Sequence, residues 1–332
     1  MKPPRVRTWS LGGLAAVAIV AGPSAILGES SSGDGRAAQP QPGTGRAPYV
    51  VVLGIAQDGG VPQAGTQHPG WTDAAARRRV VCLALIDPAS SQRWMFEATP
   101  DFREQLYQLD ALAPAPTSPG LDGIFLTHAH MGHYTGLLFL GHESMGAHRV
   151  PVYAMPRMRD YLRTQGPWEQ LVRYENIELR ALEDGARVVL NERLSVVPFR
   201  VPHRQEYSEV VGFRIQGPQR SLLFLPDIDS WEAFDAAGTR IEDVLADVDV
   251  AYLDASFYAN GEIPGRDMSG FPHPFITHSM QRFTALPDAE RAKVRFIHLN
   301  HTNPALRADS PERRSIEARG FRVAEELERV DL

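Results

Sequence analysis

Four apolar runs in this sequence each end in a histidine or an aspartate, and this pattern constrains the fold more than any other feature. The runs are GIFLTH, LSVVPFRVPH, SLLFLPD and RFIHLNH, which end at His128, His203, Asp227 and His301. Short apolar runs bounded by turn residues predict buried strands. Polar side chains at strand ends collect at one edge of a sheet, where loops leave room for a site. The sequence therefore predicts a layered α/β protein with a functional site at a sheet edge.

The segment THAHMGH contains three histidines within six positions, His128, His130 and His133. On an extended stretch, residues two apart point the same way, so the first two can bind one ion. His133 begins the next predicted helix, from which it would reach the same ion or a neighbouring one. Neutral imidazoles together with a carboxylate are suitable ligands for zinc or a similar first-row metal. A chance cluster of core and surface histidines would not account for the further histidines at strand ends.

Strand patterns alternate with helical ones along the rest of the chain. Examples are a predicted strand over residues 49–56, a helix over 133–146, a strand over 293–300 and a helix over 310–320. Runs of strands broken by βα units are typical of sheets packed between layers of helices.

Composition excludes several classes of protein. The chain has 332 residues, a formal net charge of −6 and a single cysteine, Cys82. One cysteine rules out an intrachain disulfide and a cysteine zinc site. The acidic balance disfavours nucleic acid as a partner, since no basic excess is present to neutralise phosphates. Cys82 lies in an apolar run, which predicts a buried structural thiol.

The N-terminal part has the order of an export signal. Three basic residues in the first seven precede the apolar run LGGLAAVAIVAG and a stretch of small residues. We therefore predict an export signal or N-terminal membrane anchor over residues 1–28, which implies a periplasmic or secreted protein. Residues 29–47 are rich in Gly, Ser, Pro and Gln and predict a flexible linker. The globular domain is predicted over residues 48–332.

The histidine motif and several later segments resemble a known superfamily. THAHMGH is similar to the His-x-His-x-Asp-His signature of the metallo-β-lactamase superfamily, and the likeness extends over residues 48–332. The segments GGVPQ, YLDASFY, GRDMSGFPHP and HTNPALRADSPERR resemble the pyrroloquinoline quinone biosynthesis protein B branch. The resemblance implies a four-layer αβ/βα sandwich with metal ions at the sheet edge.

The same resemblance implies two neighbouring metal ions that share one carboxylate. The implied ligands are His128, His130 and His203 for the first ion, His133 and His301 for the second, and Asp227 as the bridge. His298 is the alternative to His301. We favour His301 because it follows the apolar run and aligns better with the last histidine of the family.

Gly132 stands where the family has an aspartate that binds the second ion. Glycine supplies no ligand, so either the second site is weak or another carboxylate replaces the missing one. Asp58, in the turn after the first strand, and Asp254, after VAYL, are the candidates. We therefore expect one tight zinc ion and a second, weaker one, with iron or manganese as alternative metals.

The ligand set predicts a hydrolase that uses a zinc-activated water on an ester-, lactone-, amide- or phosphodiester-type bond. Asp227 would assist at the metal, and His273 or Tyr134 would protonate the leaving group. The helix predicted to begin near His133 favours a small anionic substrate. The alternatives are an iron-dependent oxidative enzyme related to pyrroloquinoline quinone biosynthesis and a non-catalytic accessory or binding protein. Membrane contact is expected only through an uncleaved N-terminal segment.

Overall fold

Two mixed sheets of seven strands each form the centre of the chain over residues 47–332, the part that the computed structural model describes. The predicted export signal or anchor and all but the last residue of the predicted linker lie outside this range. Within the described range, no helix is both long enough and apolar enough to cross a membrane.

The first sheet is antiparallel on one side and parallel on the other. Its strands, in spatial order, are β14 (Arg329–Asp331), β1 (Tyr49–Gly54), β2 (Cys82–Asp87), β3 (Gln92–Phe96), β4 (Gly123–Phe125), β5 (Val150–Ala154) and β6 (Ile177–Ala181). The pairs from β14 to β3 are antiparallel, and those from β3 to β6 are parallel. Parallel strands end at the same edge, and His128 follows the end of β4 there.

The second sheet repeats this division. Its strands, in spatial order, are β13 (Arg322–Val323), β12 (Val294–Ile297), β11 (Val250–Asp254), β10 (Ser221–Leu225), β9 (Val211–Gln216), β8 (Ser195–Arg200) and β7 (Val188–Val189). The strands from β13 to β10 are parallel, and those from β10 to β7 are antiparallel. Asp227 follows β10 and His298 follows β12, so both leave the sheet at the edge where the parallel strands end.

Helices cover the outer faces of both sheets. They are α1 (Phe102–Leu112), α2 (Met131–Tyr134), α3 (Pro156–Thr164), α4 (Glu169–Arg173), α5 (Trp231–Ala236), α6 (Ile241–Ala246), α7 (Ile276–Arg282), α8 (Asp288–Arg291) and α9 (Pro311–Ala318). Short 3-10 helices are found at Pro69–Trp71, Ala74–Ala76, Thr135–Leu140, Phe283–Ala285 and Pro304–Leu306. The predicted four-layer αβ/βα sandwich is confirmed.

Alternation along the strands explains how the layers hold together. In β1, Val50 and Val52 join the core between the sheets, whereas Val51 and Leu53 belong to the core on the other face, which includes helix α1. Side chains of a strand point alternately to its two faces, so a fully apolar strand can serve two cores at once. Phe96 of β3 meets Phe213 of β9 edge-on across the inner core, with ring centroids 5.5 Å apart.

The prediction of a long helix over residues 133–146 is wrong. The structure has the four-residue helix α2 and then a 3-10 helix, Thr135–Leu140. The backbone amide of Gly136 donates to Ala98 O (2.8 Å), and Ala98 N donates to His133 O (2.9 Å). These contacts with the chain after β3 replace the hydrogen bonds that would continue an α-helix. The anion-binding argument from a long helix at His133 therefore does not hold.

Cys82 is fully buried in β2, as predicted. Burial raises the pKa of its thiol well above the usual value, which keeps the group neutral and unreactive.

Candidate metal centre

Three imidazoles converge at the sheet edge to form the first ligand group, His128, His130 and His203. His128 and His130 follow β4, and His203 follows β8 of the other sheet. Nε2 of His128 lies 2.8 Å from Nδ1 of His130, and the ring of His203 lies 5.0 Å from that of His130. One ion could therefore be held by ligands from both sheets.

The outward-facing nitrogen of each of these rings has its own protein partner. Those contacts are Thr127 Oγ1 with His128 Nδ1 (2.8 Å), Glu206 Oε2 with His130 Nε2 (3.0 Å) and Asp229 Oδ1 with His203 Nδ1 (2.9 Å). Such partners fix the orientation of a ligating imidazole, and a carboxylate partner also raises its basicity. The opposite nitrogens, Nε2 of His128, Nδ1 of His130 and Nε2 of His203, are those that would bind a metal.

A second ligand group, Asp58, His133 and His298, lies beside the first. Nε2 of His133 is 3.1 Å from Asp58 Oδ1, and Nε2 of His298 is 3.4 Å from the same oxygen. The far nitrogens face Glu97 Oε1 at 3.3 Å for His133 and Ser256 Oγ at 2.8 Å for His298.

Asp227 lies between the two groups. Its Oδ2 lies 3.2 Å from His133 Nε2 and 3.5 Å from His298 Nε2, and its Oδ1 lies 3.6 Å from His203 Nε2. Burial alone would raise the pKa of this carboxyl, but the surrounding imidazoles outweigh burial and lower it strongly. Asp227 is therefore an anion between the two groups.

Charge and hydrogen bonding at the centre both fit a bound cation. Within the described residues, His203 Nε2 and Asp227 Oδ2 are buried without a hydrogen-bond partner. Burial, followed by the charge of His133, lowers the pKa of His128, which keeps that imidazole in the neutral form a metal requires. The five imidazoles of the two ligand groups, together with Asp58 and Asp227, form a donor set that suits zinc, and also iron or manganese.

The structure brings His298 into the centre and not His301, the residue that the sequence analysis favours as the last ligand. Strand β12 ends at Ile297, so His298 is the first residue beyond it, with a left-handed backbone (φ 65°). Leu299 then donates to Ile55 O (2.9 Å), and the chain continues alongside β1. His301 is half-buried, and it belongs to none of the ligand groups formed by residues 47–332.

Asp58 occupies the space that a side chain at position 132 would need. A Cβ added to Gly132 would lie 2.5 Å from both Cα and Oδ1 of Asp58. Asp254 also forms a potential ligand group, with Asp227, His273 and His298. Of the two carboxylates that could replace the missing aspartate, Asp58 is the one whose oxygen faces Nε2 of both His133 and His298. Asp254 is buried and accepts from the backbone amides of Ile228 and Ser256, both at 3.0 Å. Asp254 therefore stabilises the loops that surround the centre.

The two candidates for proton donor have different surroundings. Nδ1 of His273 lies 2.7 Å from Asp254 Oδ2 and 3.9 Å from Asp227 Oδ1, so His273 borders the centre. Tyr134 is buried, and its hydroxyl lies 2.8 Å from that of Tyr161 in a cluster of aromatic rings. It makes no hydrogen bond to a ligand residue within the described range. The proposed role of Tyr134 at the reacting atoms is therefore not supported.

The sequence analysis missed the residues that hold the histidines. Glu97 directly follows β3 and is fully buried, and Asp229 follows Asp227 by two positions. Glu97 carries the same signal as the predicted ligands, a charged residue after an apolar strand. Burial raises the pKa of Glu97, and the opposing effect of His133 only partly offsets it. Glu206 lies in the 203–210 loop, where no pattern distinguishes it.

Comparison with known proteins places this centre in a family. The beta-lactamase superfamily domain matches residues 92–299. Coenzyme PQQ synthesis protein B of Xanthomonas axonopodis pv. citri is 28% identical over 304 residues, which cover 83% of this chain and 97% of that protein. Zinc-bound PqqB from Methylobacterium extorquens has a TM-score of 0.70 at 22% identity, covering 86% of this chain and 100% of that chain. A diphosphatase from the PhnP family has a TM-score of 0.60 at 21% identity, and the match covers 86% of this chain and 97% of the diphosphatase. The chain belongs to the beta-lactamase superfamily, and it has the metallo-β-lactamase fold and a likeness to the PqqB branch.

Proposed function

We propose that this protein is a metal-dependent hydrolase that cleaves an ester-, lactone-, amide- or phosphodiester-type bond in a small-molecule substrate. The observation that supports the proposal best is the pair of adjacent ligand groups that meet at Asp227. A PhnP-family diphosphatase shares the fold, which provides a precedent for hydrolysis on this scaffold.

Bound zinc would lower the pKa of a coordinated water to about 7 and polarise the scissile bond. The protein prepares the centre by fixing each imidazole from behind, so little reorganisation accompanies metal or substrate binding. Asp227 remains anionic at neutral pH because its pKa is strongly lowered. Its carboxylate can orient the attacking water.

His273 is suited to protonate the leaving group. Burial opposes a charge on this imidazole, but Asp254, with the charges of Asp227 and Asp58, outweighs burial and raises the pKa of His273. The hydrogen bond from Nδ1 to Asp254 leaves Nε2 to carry the proton that is transferred. The arrangement resembles other carboxylate–histidine pairs, in which the acid fixes the tautomer and the orientation of the ring.

A role in cofactor synthesis is the second candidate, because the 28% identical relative from Xanthomonas is a coenzyme PQQ synthesis protein. Such a role would use the same histidines with iron in place of zinc, since imidazole and carboxylate ligands accept both metals. Zinc content with ester hydrolysis supports the first candidate, and iron content with redox activity supports the second.

The decisive experiment measures metal content and then activity on a panel of carboxylic and phosphoric esters, lactones and amides, with the full chain. We expect zinc in the parent protein and turnover of at least one class of substrate. The double variant His128→Ala, His130→Ala should lose both metal and turnover while remaining folded by circular dichroism. His278→Ala is the matched control, because His278 is exposed, contacts Glu232 and belongs to none of the ligand groups among the described residues. A zinc-loaded parent that cleaves no member of the panel would refute hydrolysis as the function.

A further inference from the structure

We propose that Asp58 is the carboxylate ligand of the second ion, and that the centre therefore binds two zinc ions with similar affinity. The inference deepens the proposed function, since it concerns the same centre. It replaces the expectation of one tight and one weak ion, which followed from the absence of a ligand at Gly132.

The position of the Asp58 carboxylate is the first argument. Its Oδ1 lies 3.1 Å from His133 Nε2 and 3.4 Å from His298 Nε2, close to the distances that separate ligand atoms around one small cation. The side chain of Asp58 is 40% exposed, whereas those of His133, His298 and Asp227 are 0%, 1% and 3% exposed. Asp58 is thus the member of the second ligand group that faces solvent, where a water or substrate would enter.

Packing at Gly132 is an independent argument. A Cβ at this position would lie 2.5 Å from Cα and Oδ1 of Asp58, well inside van der Waals contact. A side chain at 132 and the present position of Asp58 exclude each other. The glycine is therefore the residue that lets the turn carrying Asp58 approach the histidine motif closely enough to supply the carboxylate.

Backbone hydrogen bonds hold the turn that carries Asp58, and one of them joins it to the segment that follows His298. Gln57 N donates to Leu299 O (2.9 Å), and Gly60 N donates to Gln57 O (2.8 Å). Val61 N donates to Arg78 O (2.9 Å), which anchors the other end of the turn. Because the backbone on both sides of Asp58 is held, the carboxylate is in place before an ion binds, and the cost of ordering it is small.

With Asp58 included, both ions have the same number of protein ligands. The first is bound by the three histidines of the first ligand group and Asp227, and the second by Asp58, His133, His298 and Asp227. Each set supplies the four ligands of a tetrahedral zinc site, and a coordinated water would be the fifth ligand, a coordination number that catalytic zinc sites can also adopt. No pronounced difference between the two affinities is then expected.

Titration of the apo full-length protein with zinc, followed by calorimetry, tests this assignment without a substrate. We expect the parent chain to bind two ions. In Asp58→Asn and Asp58→Ala, one ion should bind with unchanged affinity, and the affinity for the second should fall at least about tenfold. Asp101→Asn is the matched control, because Asp101 accepts from Val80 N in the neighbourhood of the same turn but belongs to neither ligand group. It should bind two ions as the parent does.

A single ion in the parent, or two unchanged ions in both Asp58 variants, would overturn the assignment. Thermal unfolding of each apo variant serves as the folding check, and Asp58→Asn keeps the volume of the side chain if Asp58→Ala does not fold. Because no substrate is involved, a negative result on the ester panel leaves this test valid, and loss of the second ion leaves the proposed hydrolysis to be judged separately.

Discussion

Gly132→Ala is the smallest perturbation that tests how the histidine motif and the Asp58 turn fit together. The added Cβ would lie 2.5 Å from Asp58 Cα, whereas ordinary contacts begin at 3.4 Å, so one backbone segment must move by about 1 Å. The Asp58 turn is held by hydrogen bonds to Leu299 and Arg78 on its two sides, so it cannot move freely.

Two effects of opposite sign determine how much Gly132→Ala changes the free energy of unfolding. Alanine in place of glycine within a helix gains about 0.5–1 kcal/mol, and Gly132 lies inside α2. Overpacking a close contact costs about 1–3 kcal/mol, and a contact between backbone atoms lies towards the upper end because neither side can change rotamer. We therefore expect Gly132→Ala to lower the free energy of unfolding of the apo protein by about 1–2 kcal/mol.

Urea denaturation of the apo protein measures this change, and a zinc titration measures the effect on metal binding. Since the turn must shift, Asp58 should leave its position and the second ion should bind more weakly than in the parent. Gly270→Ala is the control, because a Cβ there meets no atom within 4 Å. It should change stability by less than about 0.5 kcal/mol. The reasoning is refuted if Gly132→Ala matches Gly270→Ala in both stability and zinc affinity.

Two further predictions concern the last ligand and the pH dependence of stability. His298→Ala should lose the second ion while His301→Ala keeps both, as elemental analysis after dialysis will measure, because only His298 belongs to a ligand group among the described residues. Asp87→Asn should lower stability at neutral pH by about 1 kcal/mol, since hydrogen bonds and Arg193 outweigh burial and lower the pKa of Asp87. That contribution is present above the unfolded pKa of about 4 and is lost as pH falls through the lower folded value, so urea denaturation of parent and variant should converge in acid.

The ligands that follow a strand could be predicted from the sequence, because an apolar run ending in a charged or imidazole side chain is visible without a structure. His128, His203 and Asp227 are of this kind, and all three lie in the centre. The same rule failed at the last ligand because the apolar character of KVRFIHLN continues past His298. Hydrophobic periodicity cannot locate a strand end inside such a run. The left-handed backbone at His298 (φ 65°) marks the end, and no residue type at that position signals it.

The sequence could narrow the carboxylate that replaces the aspartate expected at position 132 only to a set of alternatives. The glycine at position 132 left two alternatives, a weak second site or a replacement carboxylate, with Asp58 and Asp254 as the candidates. Contacts between segments distant in sequence distinguish them. Asp58 approaches Gly132 from 74 positions earlier in the chain, and Asp254 is already engaged with backbone amides. The end of the helix after His133 is likewise set by a tertiary contact, the hydrogen bond from Gly136 to Ala98.

The distribution of ligands between the two sheets links metal binding to the stability of the fold. The first ligand group combines His128 and His130, which follow a strand of the first sheet, with His203, which follows a strand of the second. The second group combines Asp58 and His133 from the first-sheet side with His298 from the second. Neither sheet alone can complete either site, so the unfolded chain has no comparable site. A ligand that binds only the folded state stabilises it by about 2.7 kcal/mol at one hundred times its dissociation constant. The ions would therefore hold together the edge at which the two sheets meet, in addition to any chemistry they support.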